Sequence, residues 1–336
     1  MKETTVYSAA AVFGAAPSTL FRLGGGNFSE VLAFTRQGRA CVLRLTPPDP
    51  EINLGSLLSS LAVVDHLARG GVAVPAPLRS LDGSLVVEIS SEDGPVLVSA
   101  FEKAPGVRGE ELSADSWDTA RIALLGGAVG RMHARGASYR PASPELARPA
   151  WDQVGNCFHP REEAQGELLR LRRAEALAAV QALPRSPDAY GLIHTDLHGG
   201  NFLFDLESQR ITLLDFDDCA QGWYGMDIAM SLHDFCVLSA ESDKDSCAAR
   251  FLRAYLAGYL PEHFLAPAWL ERLPLFLKLL ETGLYCQVAP FAAEADPDSW
   301  TGRFMAGRQE RIESAAPVFH IDYAGIARES VSHVQR

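Results

Sequence analysis

Positive charge is in short supply in this sequence. Thirty lysines and arginines face 42 aspartates and glutamates, for a formal net charge of −12. Nucleic acid and anionic membrane both select a basic face, so this balance argues against either as a main partner. Any anion bound here needs a locally built positive pocket. Cysteine is sparse too: the six residues at 41, 157, 219, 236, 247 and 286 contain no CxxC pair and no tight metal spacing. Reduced, mostly packed thiols are the expectation. Long apolar runs are missing. The first ten residues lack the apolar core of a signal peptide, and the most apolar late segment, 273–293, is broken by Lys278 and Glu281. That segment reads as a buried helix rather than a membrane span. No internal repeat or low-complexity tract is visible. A cytoplasmic protein without nucleic-acid or membrane partners is expected, its oligomeric state left open.

What is present suits a globular enzyme. A chain of 336 residues, 47% hydrophobic and 21% charged, can bury a large core and divide into two lobes. Residues 19–46 carry β-branched and aromatic runs around a Gln37-Gly38-Arg39 turn, and read as strands. Residues 55–70 read as a helix, with Leu57, Leu61, Val64 and Leu67 at helical spacing and a glycine at the end. Strand-like text returns at 72–80, 84–90 and 95–102, and Ala104-Pro105-Gly106 breaks it. From there the character changes to a long amphipathic helix over 113–136, a second over 161–183, a strand pair at 202–205 and 211–216, and helices to the end. The expected fold class is α+β, with an N-lobe (1–103) of antiparallel sheet and one helix, and a mainly helical C-lobe (104–336).

The stretch GLIHTDLHGGNFLFD at 191–205 sets histidines, an aspartate and an asparagine between two apolar runs. Burying those groups unpartnered would cost several kcal/mol (about 1–3 kcal/mol each), so the pattern points to chemistry. Asp215 follows at the end of the next expected strand, which brings it back near Asn201. A carboxylate and an amide oxygen that leave most positions open suit Mg²⁺ carrying phosphates. Asp196, on the same loop, is placed to accept a proton from an attacking hydroxyl. Upstream, LGGGNFSEV at 23–31 is a glycine-rich turn whose backbone N–H groups can approach phosphate. Arg44, alone in an apolar strand, needs an anion or water.

The pattern of His194, Asp196 and Asn201, then Asp215, then Gly222 through Asp227-Ile228-Ala229, resembles the aminoglycoside phosphotransferase and choline kinase family, which includes homoserine-kinase-like small-molecule kinases. The resemblance runs through most of the chain and extends to ARPAWDQ at 147–153. It implies a two-lobed protein-kinase-like fold, the first lobe binding nucleotide and the second carrying catalysis and substrate. It also implies ATP and Mg²⁺ as cofactors, with the γ-phosphate passing to a hydroxyl of a small-molecule acceptor. By motif position, Asp196 resembles the catalytic base and Asn201 and Asp215 the Mg²⁺ ligands. His194 would brace the loop, and Asp227 would anchor it or cap the next helix. Gly24, Gly25, Gly26 and Asn27 resemble the nucleotide loop, while Phe101 to Lys103 would offer backbone hydrogen bonds to adenine. Arg44 departs from the lysine of protein kinases, and Ser60 stands where their helix glutamate is expected. Glu51 is a candidate substitute for that acid.

Other readings have their own signals. Asp217 is a candidate for holding a cationic substrate or a second metal. Trp223, otherwise core or cleft wall, is a candidate substrate contact. The acid-rich run from Asp215 to Asp218 hints at an amino alcohol, amino acid or aminosugar acceptor. A serine/threonine protein kinase of the same fold is the main alternative, although no activation segment stands between Asp215 and Asp227. A nucleotide-binding pseudokinase is motivated by the missing helix acid. A metallohydrolase would use His194, Asp196 and His198 with His233 and Asp234, and leaves the glycine turn and Arg44 unexplained.

Overall fold

The computed structural model describes residues 1–334 except 26–28, 48–51, 93, 114, 115, 162, 164, 165 and 238. The expectations for Gly26, Asn27 and Glu51 therefore lie outside the described residues. The chain divides into two compact units, and neither is a continuous length of sequence. The first comprises Met1–Gly106, Tyr139–Arg148 and Thr212–Asp217, and the second Val107–Ser138, Pro149–Ile211 and Asp218–Arg336.

The first unit opens on helix α1 (Glu3–Val12), which the sequence reading did not single out. It continues through strands β1 (Phe21–Gly25), β2 (Glu30–Arg36) and β3 (Arg39–Thr46), helix α2 (Leu54–Arg69), and strands β4 (Pro77–Leu78), β5 (Val86–Ser91) and β6 (Gly94–Glu102). The sheet runs β1-β2-β3-β6-β4, with β5 also on β6. Side chains alternate across it, as the two-residue period of a strand requires. Leu43, Leu45, Val96, Val98 and Ala100 face a core completed by Val6, Ala9, Ala10 and Phe13. Leu97 and the partly buried Phe101 pack with Leu57 and Leu61 of α2. Arg44 pairs in register with Ser99, which puts it on the α2 side of the sheet. Of the strand expected at 72–80, only Pro77–Leu78 pairs with β6, because Pro75 and Pro77 have no N–H to give a ladder. Helix α2 starts where Asn53 caps it, the Asn53 side chain accepting from the Ser56 N–H at 3.0 Å.

The second unit holds β7 (Val107–Arg108), α3 (Thr119–Gly136), α4 (Glu167–Gln181), β8 (Tyr190–Ile193), β9 (Phe202–Asp205), the start of β10 (Arg210–Leu213), and β11 (Ala220–Trp223). Helices α5 (Tyr224–Val237), α6 (Lys244–Glu262), α7 (Pro267–Leu270), α8 (Leu273–Val288), α9 (Trp300–Met305), α10 (Arg308–Glu313) and α11 (Tyr323–Val334) complete it. The long helix expected from 113 starts at Thr119, because Asp118 caps it through the Arg121 N–H at 2.9 Å. The helix expected from 161 starts at Glu167. Helices α3 and α6 approach unusually closely. A Cβ on Gly258 would sit 1.8 Å from the Ala123 carbonyl oxygen, and one on Gly126 would sit 2.0 Å from that of Tyr255. Helix α8 is the buried helix expected there, and no described helix is long and apolar enough to cross a membrane. All six cysteines are thiols, and all but Cys157 are buried.

The short β8–β11 ladder positions the loop that matters most. It pairs Ile193 with Ala220 and Tyr190 with Trp223. The residues after Ile193 enter the His194–Asn201 loop, and the residues after Trp223 enter α5, with Asp227 in its first turn. One ladder therefore fixes both ends of the loop's anchor.

Candidate active site

The loop leaving β8 is locked through its backbone. The buried Asp227 carboxylate accepts the His194 N–H at 2.7 Å and the Thr195 N–H at 2.8 Å. His133 Nε2 donates to the same carboxylate at 2.9 Å, and His133 Nδ1 lies 2.7 Å from the Tyr259 hydroxyl. Thr195 is held at φ 72°, an uncommon conformation for a β-branched residue. It persists because neighbouring contacts over-determine it, including the Thr195 hydroxyl's bond to the Asp218 carbonyl at 3.0 Å. His194 is fully buried, and its Nδ1 accepts from the Asp196 N–H at 3.4 Å.

Asp196 sits on this braced loop with its side chain 27% exposed. Asn201 Nδ2 donates to Asp196 Oδ2 at 2.8 Å and to the Asp196 carbonyl at 3.0 Å. Those bonds fix the amide with its nitrogen toward Asp196, which leaves Asn201 Oδ1 as an acceptor. His198 Nε2 lies 3.5 Å from Asp196 Oδ2, and the Cys157 thiol donates to Oδ1 at 3.3 Å. Burial pushes the Asp196 carboxyl up, but the hydrogen bond and charge of His198, with His194 and Cys157, outweigh it and hold it below the usual range. Asp196 is consequently anionic at neutral pH. Burial pulls the His198 imidazole down, while Asp196, Asp234 and Glu110 lift it to about 9. Asp234 accepts the Gly199 N–H at 2.9 Å, and burial raises its carboxyl. Cys157 as a neighbour of this loop had no readable signal, since it lies far from Asp196 in sequence, and the sequence groups Asp234 with the loop only as a metallohydrolase donor.

In the first unit, Arg44 forks onto Asp217, with distances of 3.0 Å to Oδ1 and 2.9 Å to Oδ2, and lies 3.7 Å from Asp215 Oδ1. This corrects the role expected for Asp217, whose carboxylate is occupied by Arg44 rather than presented to a cationic substrate. The acid missing at Ser60 is supplied from a distant part of the chain, and the Ser60 hydroxyl lies 3.4 Å from Asp217 Oδ1. Burial would lower the Arg44 guanidinium, but Asp217 and Asp215 more than compensate and keep it charged. Its Nε is buried without a hydrogen-bond partner among the described residues. The Arg44 guanidinium also lies 5.7 Å from the Phe101 ring centroid.

Asp215 lies past the end of β10, which stops at Leu213, rather than at a strand end. Its φ is 56° and its side chain is 53% exposed. Asn201 Oδ1 in the second unit and the Asp215 carboxylate in the first are each hard oxygens of the kind Mg²⁺ takes. Gly24 and Gly25 lie within β1, paired with Val31 and Glu30 across a register shift after Arg22.

Two further expectations need correction. The Lys103 N–H donates to the Ala40 carbonyl at 3.0 Å and the Glu102 N–H to that of Ala76 at 2.9 Å. Of the backbone groups expected to meet adenine, these two N–H donors are therefore engaged within the first unit. Trp223 is fully buried, edge-on to Tyr190 with centroids 5.0 Å apart, and its Nε1 donates to the Pro184 carbonyl. No substrate touches such a side chain. The metallohydrolase donors also separate: His233 pairs with Glu281 at 2.8 Å. Among the described residues, no group of three or more His, Cys, Asp or Glu is placed to hold a metal.

Comparison with known proteins adds independent findings. The model of a phosphotransferase enzyme family (APH) matches residues 20–272. The sequence is 30% identical over 277 residues to an amicoumacin kinase of Bacillus subtilis (strain 168), covering 80% of each chain. It is 29% identical over 210 residues to a homoserine kinase of Ralstonia nicotianae, covering 59% of each. A solved amicoumacin kinase in complex with AMP-PNP, Ca²⁺ and Ami superposes with a TM-score of 0.84 at 24% identity, over 97% of both chains. A microcompartment-associated aminopropanol kinase superposes at 0.68 and 22% identity, over 99% of this chain and 98% of that one. These superpositions identify the α+β fold as one shared with small-molecule kinases.

Proposed function

Because the chain belongs to the phosphotransferase enzyme family, we propose that it transfers the γ-phosphate of ATP to a hydroxyl of a small molecule that also bears an amine. The observation that carries this reading is the Asp196 carboxylate. It is ionised, aligned by Asn201, and set on a loop whose backbone is pinned by Asp227. Such a group orients an acceptor O–H and takes its proton as the oxygen attacks phosphorus. Arg44, kept charged and held by Asp217, would supply positive charge to the phosphate oxygens. Asn201 and Asp215 would hold Mg²⁺, which when bound neutralises charge on the phosphates.

A small acceptor is favoured over a protein because little chain intervenes between Asp215 and Asp227. A four-residue strand, Ala220–Trp223, passes straight into α5, with no room for a long peptide-binding segment. An amine on the acceptor is consistent with the acidic surroundings of Asp196, where Asp234 accepts the Gly199 N–H of the same loop at 2.9 Å. Homoserine and aminopropanol, named for the kinases that this chain resembles, each carry an amine and a hydroxyl.

The test is Asp196→Asn. Loss of a general base costs about 10²–10⁴ in turnover, and binding of a nucleotide analogue should persist. Turnover that survives unchanged removes Asp196 from the reaction. A coupled ADP-release screen over hydroxylated amines, amino acids and sugars identifies the acceptor, and turnover confined to peptide or protein acceptors would favour the protein-kinase reading instead.

A further inference from the structure

The ARPAWDQ stretch has no part in the chemistry just described, yet its arginine is among the most buried charges of the first unit. Arg148 is 8% exposed. One arm, Nη1, donates to the Ser59 hydroxyl at 2.7 Å and to the Ser56 carbonyl at 3.3 Å, both on α2. The other, Nη2, donates to the Asp217 carbonyl at 2.6 Å. The segment that delivers it lies against α2: His66 and Tyr139 meet edge to face at 5.4 Å, and the Tyr139 hydroxyl donates to the Leu146 carbonyl at 3.0 Å.

From this geometry we infer that Arg148 is a positioning residue for nucleotide binding, clamping α2 to the Asp215–Asp217 segment in place of an acid on the helix. The inference rests on the kinase reading above and deepens it. Helix α2 offers Arg44 only the Ser60 hydroxyl's contact with Asp217. The acid that forks Arg44 comes from a turn outside any strand, so it needs its own support. Arg148 gives that support by gripping the Asp217 backbone while Ser60 touches the Asp217 side chain. A guanidinium suits the task because its planar fork reaches two partners at once, whereas a lysine ammonium would have to choose between them. The same clamp bears on Asp215, two residues away and on the same turn.

A purely structural arginine would make a different prediction from a positioning one. Loss of packing lowers the unfolding midpoint and leaves nucleotide affinity of the folded protein unchanged. Loss of the clamp weakens nucleotide binding. The experiment is calorimetric titration of the full chain with AMP-PNP and Mg²⁺, alongside urea unfolding of each variant. Arg148→Ala should weaken AMP-PNP binding about tenfold, and Arg148→Lys by an intermediate amount, as loss of a charged hydrogen bond implies. Ser59→Ala, which removes one partner and leaves the arginine, should weaken it about threefold. If Arg148→Ala does not fold, Arg148→Lys and Ser59→Ala decide the matter by the same measure. Folded variants that bind AMP-PNP as the wild type does overturn the positioning role and leave the kinase reading standing. A wild-type protein that fails to bind AMP-PNP overturns both.

Discussion

In the first unit, Arg44 is held by the side chain of Asp217, whose carboxylate is partly open to solvent, and one guanidinium nitrogen has no partner. In the second, the Asp196 loop is held through backbone N–H groups by Asp227, which is itself fully buried against His133. On the proposed reading, the contrast matches the work each region would do. A group that would engage a phosphate and later release it has a more solvated support. A base that would meet an acceptor hydroxyl in one geometry gains from a loop pinned through its backbone.

The contrast breaks if the two anchors cost the same to remove. Asp227→Ala strands two backbone donors and a buried histidine, and should cost about 3–5 kcal/mol of unfolding free energy in urea. Asp217→Ala, in its wetter surroundings, should cost about 1–2 kcal/mol by the same measurement. Equal losses would mean that burial is not the distinction.

A second buried network sharpens the point. Glu281 of α8 accepts from Arg308, from Arg311 at 2.6 Å and from His233 at 2.8 Å. Burial alone would raise its carboxyl, but those partners lower it from 4.5 to about 2. A carboxyl depressed on folding contributes stability that is complete above its unfolded value and is lost as pH falls through the folded one. The stability gap between wild type and Glu281→Gln, about 3 kcal/mol near neutrality, should therefore narrow from about pH 4.5 downward. Urea midpoints of the two proteins at successive pH values check it, and a gap independent of pH refutes it.

A smaller effect than the loss of Glu281 belongs to Arg44→Lys. A point charge keeps the attraction but loses the fork, so affinity for AMP-PNP should fall about tenfold while KM for the acceptor holds. A change confined to the acceptor would detach Arg44 from the nucleotide.

Much of this was legible in the sequence because it was local. Helix α2 announced itself through Leu57, Leu61 and Val64, and the Asp196 loop through polar residues packed between apolar runs. What escaped was set by distance or by missing contrast. Arg44 and Asp217 stand 173 positions apart, and no periodicity links them. Asp217 read as a candidate for a cationic substrate or a second metal, and Trp223, a candidate substrate contact, proved to be the core residue that was its other reading. Helix α1 carries its apolar face on alanines and a valine, which give little pattern to follow, yet it covers one side of the sheet.

The interleaving of the two units has a consequence for how the polypeptide is made. Tyr139–Arg148 and Thr212–Asp217 belong with the first hundred residues, so that region stays without Arg148 and Asp217 while a ribosome works through most of what separates them. Until residues 215–217 emerge, Arg44 lacks the two carboxylates it meets among the described residues. A nascent chain must keep an incomplete sheet out of trouble for that interval, and a gene fragment ending near Gly106 would encode a half-finished product rather than a portable module.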